Sequence, residues 1–430
     1  MISLGGSAAL AALTLAAASA AGPASTKAAG APRPEVTVFE DGLELLVYPQ
    51  PAARRSALRL VVRSGGANDP PMKAGLAHLV EHLAFGGSHD IGGRDFFDEV
   101  RGAGALVNAH TYPERITFEL DAPADKFEVL GPRFLGLVTS PAWQDAKMER
   151  ERGIIETEAA YHSTGGLLSL LDMAIFPAPP QGGPLAGTNE SRGALVVADA
   201  VTFFERNLVP SNMTVVLTGP VTPSQGRALV ERAFRIPPVA AVERAALPAE
   251  RPQLPVEQKL TAGVVVVMLG YPLDPADEPL CPAVASLLDL RLTLAIQLSN
   301  DRVSKVSVGC NRLRGNDFMV AFAYTSSLDS AELPETMGAA LEALGSTPPT
   351  EQERTLVNGR IDRQLRRAVE DPGVMADRLA ELAAERAGGQ TDLGRLRPAA
   401  LPSASRLAAM VKRSFARDRR VLLHISPLQN

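Results

Sequence analysis

Gly75-Leu-Ala-His78-Leu-Val-Glu81-His82-Leu-Ala-Phe85 is the most informative segment of the 430-residue chain. In a helix, His78, Glu81 and His82 at positions i, i+3 and i+4 share one face, and apolar residues cover the others. Two imidazoles one turn apart can bind one metal ion, and the carboxylate between them then lies beside any water on that metal. The pattern predicts a buried metal-binding helix. On these residues alone, the alternative is a helix whose two histidines are only hydrogen-bonded.

Two histidines leave zinc short of the three protein ligands usual in catalytic sites, so a further ligand is needed. A candidate is the segment Glu149-Arg-Glu151-Arg-Gly-Ile-Ile-Glu156-Thr-Glu158, in which Glu151 and Glu158 are seven residues apart. In a helix these two carboxylates face the same way, and Glu156 points elsewhere. An ordinary charged helix face fits the segment equally well on local pattern.

With both segments, the chain resembles the M16 peptidases, which include pitrilysin, insulysin and the mitochondrial processing peptidase. The order His-x-x-Glu-His is the inverzincin signature. The third zinc ligand of that family is a Glu at the spacing of Glu158, which stands 76 residues after His82. A supporting Glu lies seven residues before it, at the position of Glu151. The resemblance implies that His78, His82 and Glu158 bind one Zn²⁺ per chain and that Glu81 is the general base.

The resemblance also implies the fold class. The segments 104–111 and 210–219 also resemble M16 sequences. The resemblance is strong across about 38–235 and weaker beyond. We therefore expect an α+β chain with two homologous M16-type (LuxS/MPP-like metallohydrolase) domains. Each domain is expected to be a mostly antiparallel mixed sheet covered by helices.

Two strands are predicted after the metal helix, at Gly102–Ala109 and Arg115–Asp121. The small side chains of the first would let another backbone lie alongside it, if it is an edge strand. In M16 proteins this strand receives the substrate as an added strand, so the resemblance implies that Asn108 and Ala109 contact substrate. On local sequence alone, an ordinary sheet strand fits as well.

Length and composition predict two domains, because 430 residues with 46% hydrophobic side chains can form two large cores. We predict a zinc-binding domain at 36–235, an extended proline-rich linker at 236–256 and a second domain at 257–430. A net charge of −5 without a basic patch argues against nucleic-acid binding.

The second half reads as a diverged copy of the first. The segment 203–220 corresponds to 410–427, which lies 207 positions later, and each copy predicts a helix followed by a closing strand. At the same offset His78, Glu81 and His82 fall on Ala285, Leu288 and Asp289. The second copy therefore cannot repeat the metal site.

The N-terminus predicts export. An apolar run at 8–18 ends in Ala18-Ser19-Ala20, a small-x-small cleavage pattern, so 1–21 is predicted as a signal peptide and 22–35 as a flexible leader. We expect the periplasm of a Gram-negative bacterium, with no integral membrane span in the mature chain. A disordered Ala-rich leader is the alternative, because no Lys or Arg precedes the run.

Cys281 and Cys310 are the only cysteines. A single pair does not define a disulfide scaffold, and free cysteines are common in cores, so we expect two free thiols; oxidation to a disulfide in an exported chain is the alternative. The other histidines, His89, His110, His162 and His424, show no ligand spacing and are expected to be structural or exposed.

One part of the family's active centre is missing. Catalytic M16 proteins carry in the second domain an Arg followed four residues later by a Tyr, which help hold the substrate carbonyl and its oxyanion. The matching segment, 291–306, contains no Tyr. Arg302 is the candidate for the Arg, but Ser304 or Val306 stands where the phenol would be. The resemblance implies a heterodimer with a zinc-less M16-like chain that supplies the pair; a homodimer using Arg302 is the alternative.

Together these observations predict a zinc-dependent endopeptidase that hydrolyses peptides or unfolded polypeptide segments. The alternative is a non-catalytic scaffold or binding subunit of a larger assembly, a role that some M16 relatives have. The complete set His78, Glu81, His82 and Glu158 favours the peptidase.

Overall fold

The computed structural model of the chain describes residues 33–88, 90–161, 167–176, 183–237, 249–261, 264–297, 302–326, 332–386, 391 and 393–426. The predicted signal peptide, nearly all of the predicted leader and residues 238–248 of the predicted linker lie outside the described residues. The predicted domain boundaries therefore stay predictions.

The first half forms a mixed, mostly antiparallel sheet with the strand order β1-β2-β6-β3-β5-β4. Only the pair β2 and β6 is parallel. Neighbouring side chains of β2 face opposite sides, and both sides are buried, as expected for a sheet that is covered on both faces. Its strands are β1 Glu35–Val38, β2 Glu44–Pro49, β3 Arg55–Val62, β4 Leu106–Thr111, β5 Ile116–Pro123 and β6 Met213–Gly219.

Helices of the first half pack mainly on one face of this sheet, around a core that includes Leu45, Leu60 and Phe118. The predicted strand from Gly102 is wrong at its start, because a helix ends there and β4 begins at Leu106. The helices are α1 Leu76–Phe85, α2 Gly93–Gly102, α3 Ala124–Thr139, α4 Asp145–Tyr161, α5 Leu167–Ile175, α6 Asn189–Ala194, α7 Val197–Asn207 and α8 Pro223–Ala233.

The second half repeats the plan with the strand order β7-β11-β8-β10-β9, in which only β7 and β11 are parallel. The strands are β7 Val256–Thr261, β8 Val266–Pro272, β9 Val303–Leu313, β10 Asn316–Thr325 and β11 Val421–Ser426. The helices are α9 Cys281–Leu292, α10 Glu332–Ser346, α11 Glu351–Glu370, α12 Pro372–Ala384 and α13 Ala404–Ser414.

The internal repeat predicted from the sequence is confirmed. Helix α13 begins and ends 207 positions after α7, and the closing strands β6 and β11 follow them. At the same offset α1 falls within α9, the core helix of the second half. The helical run Glu278–Gln297 is long and apolar enough to cross a membrane by composition, but α9 within it packs in the second core.

Each half lends one helix to the other. Helix α12 covers the outer face of the first sheet, where Met375 and Leu379 pack on Leu46 and Val61. Helix α5 covers the outer face of the second sheet through Leu171 and its apolar neighbours. These two helices occupy equivalent places in the repeat, so the exchange is reciprocal.

A buried arginine joins the two halves. Arg59 on β3 is 2% exposed and forms ion pairs with Asp121 on β5, at 2.9 Å, and with Asp377 on α12, at 2.7 Å. These carboxylates raise the pKa of Arg59 against the effect of its burial. A charge taken out of water needs such partners, so this network fixes α12 on the sheet.

The expectation of two free thiols is wrong, because Cys281 and Cys310 form a disulfide. The fold brings the first residue of α9 beside β9, with the two Cα atoms 6.0 Å apart, which lies within the range for a disulfide. The sequence separation of 29 residues gave no sign of this proximity.

Candidate metal centre

Helix α1 carries the first two predicted ligands and is held at its N-terminus by Asp69. The carboxylate of Asp69 accepts hydrogen bonds from the backbone N–H groups of Gly75, Leu76 and Ala77 at 2.8–3.1 Å. Burial raises the pKa of Asp69 to about 7, while these three donors favour the ionised form. Because the first N–H groups of a helix have no partner within it, Asp69 serves as their acceptor and fixes where α1 begins.

Glycines allow the segment before α6 to pack closely against this end of α1. Gly75 has φ +90°, and a Cβ there would lie 2.9 Å from the backbone nitrogen of Gly187. Ser191 on α6 donates a hydrogen bond to the carbonyl of Ala74 at 2.9 Å. The metal helix therefore starts from a rigid support.

Helices α1 and α4 bring the three predicted zinc ligands together. His78 Nε2 lies 3.3 Å from His82 Nε2, and Glu158 Oε2 lies 3.6 Å from the first nitrogen and 3.5 Å from the second. Among the described residues these three form the one group of His, Cys, Asp or Glu that could hold a metal ion. Glu158 is 41% exposed, so the group opens to solvent on that side.

The dimensions of this triangle fit zinc. Tetrahedral zinc with bonds of about 2.0–2.1 Å separates its ligand atoms by about 3.3 Å. The point in the plane of the three atoms that is equidistant from them lies about 2.0 Å from each, so an ion slightly out of that plane would lie about 2.0–2.1 Å from all three. Two imidazole nitrogens and one carboxylate oxygen are also a donor set found in catalytic zinc sites, where a fourth position stays open.

Glu151, predicted to support a ligand, lies behind His82. Its Oε2 is 3.2 Å from His82 Nδ1, and its Oε1 accepts two hydrogen bonds from the Arg150 guanidinium at 3.0 and 2.5 Å. Against the effect of burial, the contacts with His82 and Arg150 lower the pKa of Glu151. An ionised Glu151 holds the proton of His82 on Nδ1 and leaves Nε2 as a metal-binding lone pair.

Glu81 lies on the same helix and is 7% exposed. Its Oε2 accepts a hydrogen bond of 2.8 Å from the hydroxyl of Thr111 at the end of β4. Burial raises the pKa of Glu81, and His82 and Thr111 oppose that rise. A carboxylate whose pKa is raised above its ordinary value is a stronger base, which suits a group that takes a proton.

Strand β4 is the outer strand of the first sheet and pairs only with β5 among the described residues. The N–H of Tyr112 bonds to the carbonyl of Arg115 beyond the end of the strand. Because bonding alternates along an antiparallel pair, Val107, Ala109 and Thr111 direct their backbone groups to the open edge. The structure thus places Ala109 with its backbone at that edge.

The neighbouring residues on β4 point their side chains to the other face. The exposed Asn108 side chain contacts His110, with 3.0 Å between Nδ2 and Nε2. His110 lies 3.9 Å from Glu119 and is 47% exposed. His424 is half-buried on β11, and His89 and His162 lie outside the described residues.

The equivalent edge of the second sheet is blocked. Asp289 is the residue that the repeat aligns with His82. It accepts a hydrogen bond from the N–H of Val308 on β9 and forms an ion pair with Arg360. The side-chain oxygen of Gln297 accepts from the N–H of Val306. Side chains therefore occupy backbone donors at this edge, and an ion pair lies where the first half has its ligand.

Catalytic M16 proteins have an Arg–Tyr pair in the second domain, and the matching segment of this chain, 291–306, does not provide one. Arg302 lies exposed just before β9. Ser304 and Val306 follow it on β9, and Val306 is buried. Neither position offers a phenol.

Sequence reasoning missed three supporting residues: Asp69, Arg150 and Thr111. Thr111 belongs to a segment that carries the family resemblance, but its role depends on how close β4 runs to α1. Arg150 is adjacent to Glu151, and a helix normally turns adjacent side chains apart.

Comparison with known proteins identifies the family of the part of the chain that carries these residues. Residues 45–188 match the insulinase family, peptidase family M16. The chain is 30% identical over 274 residues to coenzyme PQQ synthesis protein F of Pseudomonas aeruginosa, which covers 60% of this chain and 35% of that protein. Residues 45–188 belong to the M16 family. The chain is also 27% identical over 218 residues to an uncharacterized zinc protease of Mycobacterium leprae, covering 50% of this chain and 49% of that protein.

A third relative is the β subunit of the mitochondrial-processing peptidase of Lentinula edodes. It is 24% identical over 213 residues, which cover 49% of this chain and 46% of the subunit. The matched region thus spans between about a third and a half of the length of these curated relatives.

Solved structures share the fold of this chain. A protease from Helicobacter pylori superposes with a TM-score of 0.77 at 17% identity, covering 92% of this chain and 100% of that one. An M16 inactive domain from Pseudomonas fluorescens gives 0.75 at 14% identity, covering 92% and 98%. The first half of the periplasmic protease PqqL from Escherichia coli gives 0.69 at 17% identity, covering 91% and 92%.

Proposed function

We propose that this chain is a zinc-dependent endopeptidase that hydrolyses peptides or unfolded polypeptide segments. The observation that carries the proposal is the triangle of His78, His82 and Glu158 atoms, 3.3–3.6 Å apart, with Glu81 on the same helix. The relative named as a zinc protease supports the choice of metal.

The residues around the triangle have separable tasks. A zinc ion held by His78, His82 and Glu158 would supply a Lewis acid and would lower the pKa of a water molecule towards about 7. Glu81 takes a proton from the attacking water and returns it to the leaving amine. Thr111 donates to Oε2 of Glu81, and we assign the proton transfer to Oε1, which accepts no hydrogen bond from the described residues. Glu151 keeps His82 in the tautomer that leaves Nε2 unprotonated.

The open edge of β4 supports an extended substrate. A peptide that lies beside Ala109 gains backbone hydrogen bonds along the strand, and Asn108 is exposed beside it. In a folded protein most of the backbone is already hydrogen-bonded within the fold, so little of it can pair with this edge. Peptides and unfolded segments are therefore the proposed substrate class.

A second chain is proposed to complete the active centre. Without the Arg–Tyr pair the developing oxyanion lacks donors, and one such donor is commonly worth about 3 kcal/mol, or about 100-fold in rate. We propose a heterodimer with a zinc-less M16-like chain, with a homodimer that uses Arg302 as the alternative. The likeness to a subunit of the mitochondrial-processing peptidase supports a two-chain enzyme.

The catalytic role is tested with three variants. Glu81→Gln should abolish hydrolysis of an unstructured peptide and keep zinc, whereas His82→Ala should lose both. Glu156→Gln is the matched control, because Glu156 is exposed on α4 and outside the site. Normal turnover by Glu81→Gln would reject the mechanism.

The competing function is a non-catalytic scaffold, and the likeness to an M16 inactive domain shows only that such domains share this fold. Zinc content of the purified wild-type chain separates the two functions. A chain that stays metal-free in excess zinc would favour the scaffold.

The partner is tested by assaying this chain alone and together with an M16-like chain encoded beside it. The mixture should be about 100-fold more active than either chain. Full activity of the isolated chain, unchanged by the neighbour, would reject the heterodimer.

Export is proposed from the N-terminal sequence and from the likeness to a periplasmic protease. N-terminal sequencing of protein from the native host should find a start near residue 21. An intact Met1 in cytosolic protein would contradict export.

A further inference from the structure

We propose that Thr111 is a positioning residue that couples the docking of a peptide on β4 to the orientation of Glu81. The inference rests on the proposed peptidase function and assigns a task to a residue that the metal chemistry itself does not require.

Thr111 is the last residue of β4, and its backbone and its side chain point in different directions. Its backbone N–H and carbonyl point to the open edge, by the alternation that the Tyr112–Arg115 bond sets. A peptide added to that edge can therefore bond to Thr111 directly.

The side chain of Thr111 points the other way, towards α1. Its hydroxyl donates to Glu81 Oε2 at 2.8 Å, and among the described residues Thr111 alone hydrogen-bonds the Glu81 side chain. Glu81 is almost fully buried, so this bond to a carboxylate lies in a medium of low dielectric constant. Thr111 thus belongs to the strand that receives the peptide and also hydrogen-bonds the proposed base.

We assign different tasks to the two oxygens of the Glu81 carboxylate. Thr111 keeps Oε2 in a fixed place, which leaves Oε1 free to take and release a proton. Among the described residues, strand β4 is hydrogen-bonded to β5 on one side only, and a peptide bound along its open edge adds hydrogen bonds that restrain the Thr111 backbone from the other side. Restraint of the Thr111 backbone fixes its hydroxyl and, through it, the carboxylate.

The effect should fall on the chemical step and not on affinity. A hydrogen bond to a charged group is worth enough to change a rate about 10- to 100-fold when it orients the reacting group. The backbone groups that bind the peptide are the same in any Thr111 variant. A loss in kcat without a change in KM is therefore expected.

The experiment compares zinc-loaded full-length wild type, Thr111→Val and Thr111→Ser, each with and without the M16-like chain encoded beside it. Val removes the hydroxyl and keeps the shape, and Ser restores the hydroxyl. Thr37→Val is the matched control, because Thr37 lies on β1 at the opposite edge of the same sheet. Hydrolysis of fluorescein-labelled β-casein gives kcat and KM, and zinc is measured on each protein.

Thr111→Val should lower kcat about 10- to 100-fold, with KM and zinc content within about twofold of wild type. Thr111→Ser should recover kcat to within about threefold, and Thr37→Val should match wild type. In a Glu81→Gln background, fluorescence anisotropy should show equal casein affinity with and without Thr111→Val.

Three results would overturn the inference: an unchanged kcat in Thr111→Val, a Ser variant as slow as the Val variant, or a loss of zinc that accounts for the loss of rate. Failure of the proposed function looks different. A wild-type chain that binds no zinc and cleaves no casein rejects the peptidase before any Thr111 variant is made.

Discussion

Replacing Glu151 by Gln should weaken zinc binding although Glu151 is not a ligand. In the structure its two oxygens serve different donors, His82 Nδ1 through Oε2 and Arg150 through Oε1. The side-chain amide of glutamine has one oxygen, which accepts, and one NH₂ group, which only donates, so it can serve only one of these two donors in the same way. Either His82 loses the acceptor that fixes its tautomer, or the NH₂ group faces the Arg150 guanidinium.

The size of the effect follows from where this contact lies. Glu151 is 8% exposed, so water replaces the missing acceptor only poorly. Loss of a partner that orients a metal-binding histidine typically weakens metal affinity about 10- to 100-fold, which is about 1.4 to 2.7 kcal/mol.

The assay is competition for zinc between the purified protein and a chromophoric chelator at constant pH and salt. Glu156→Gln serves as the control, since it removes the same charge from the same helix at an exposed position. Equal zinc affinity for Glu151→Gln and Glu156→Gln would refute the reasoning, because net charge would then account for any change.

Three further predictions concern stability and are measured by urea unfolding. Asp69→Ala should cost about 2 kcal/mol, because three N–H groups at the start of α1 lose their acceptor. Asp121→Asn should destabilise more than Asp377→Asn, because Asp121 binds Arg59 through two oxygens and Asp377 is 56% exposed; the reverse order would contradict this. The Arg291 guanidinium beside Glu353 lowers the pKa of that carboxyl to about 2. Its stabilisation is therefore present above the ordinary pKa and lost as pH falls through about 2, so Glu353→Gln should be less stable than wild type at pH 7 and should approach it in acid.

The metal helix and the glutamate helix could be predicted because their signals are local. Helical spacing alone places His78 beside His82, and the seven-residue step places Glu151 and Glu158 on one face. The repeat was also visible, because a fixed offset relates its closing segments. These patterns depend only on neighbours along the chain.

What the sequence could not show depends on contacts between distant segments. Thr111 meets Glu81 only because β4 ends next to α1, 30 residues away along the chain. The disulfide depends on how α9 packs on β9, and cysteine spacing carries no such information. The covering of the first sheet by α12 joins residues more than 300 positions apart, as the Arg59–Asp377 pair shows.

The exchange of α5 and α12 means that neither half of this chain is a self-sufficient folding unit. If the backbone were cut between residues 237 and 249, the first piece would display Leu46 and Val61 to water, and the second would display its own uncovered sheet. Each piece should be insoluble when made alone and soluble when both are made in one cell, since each carries the helix that covers the other's sheet. The molecule has the architecture of a helix-swapped dimer whose two copies a single peptide segment has joined.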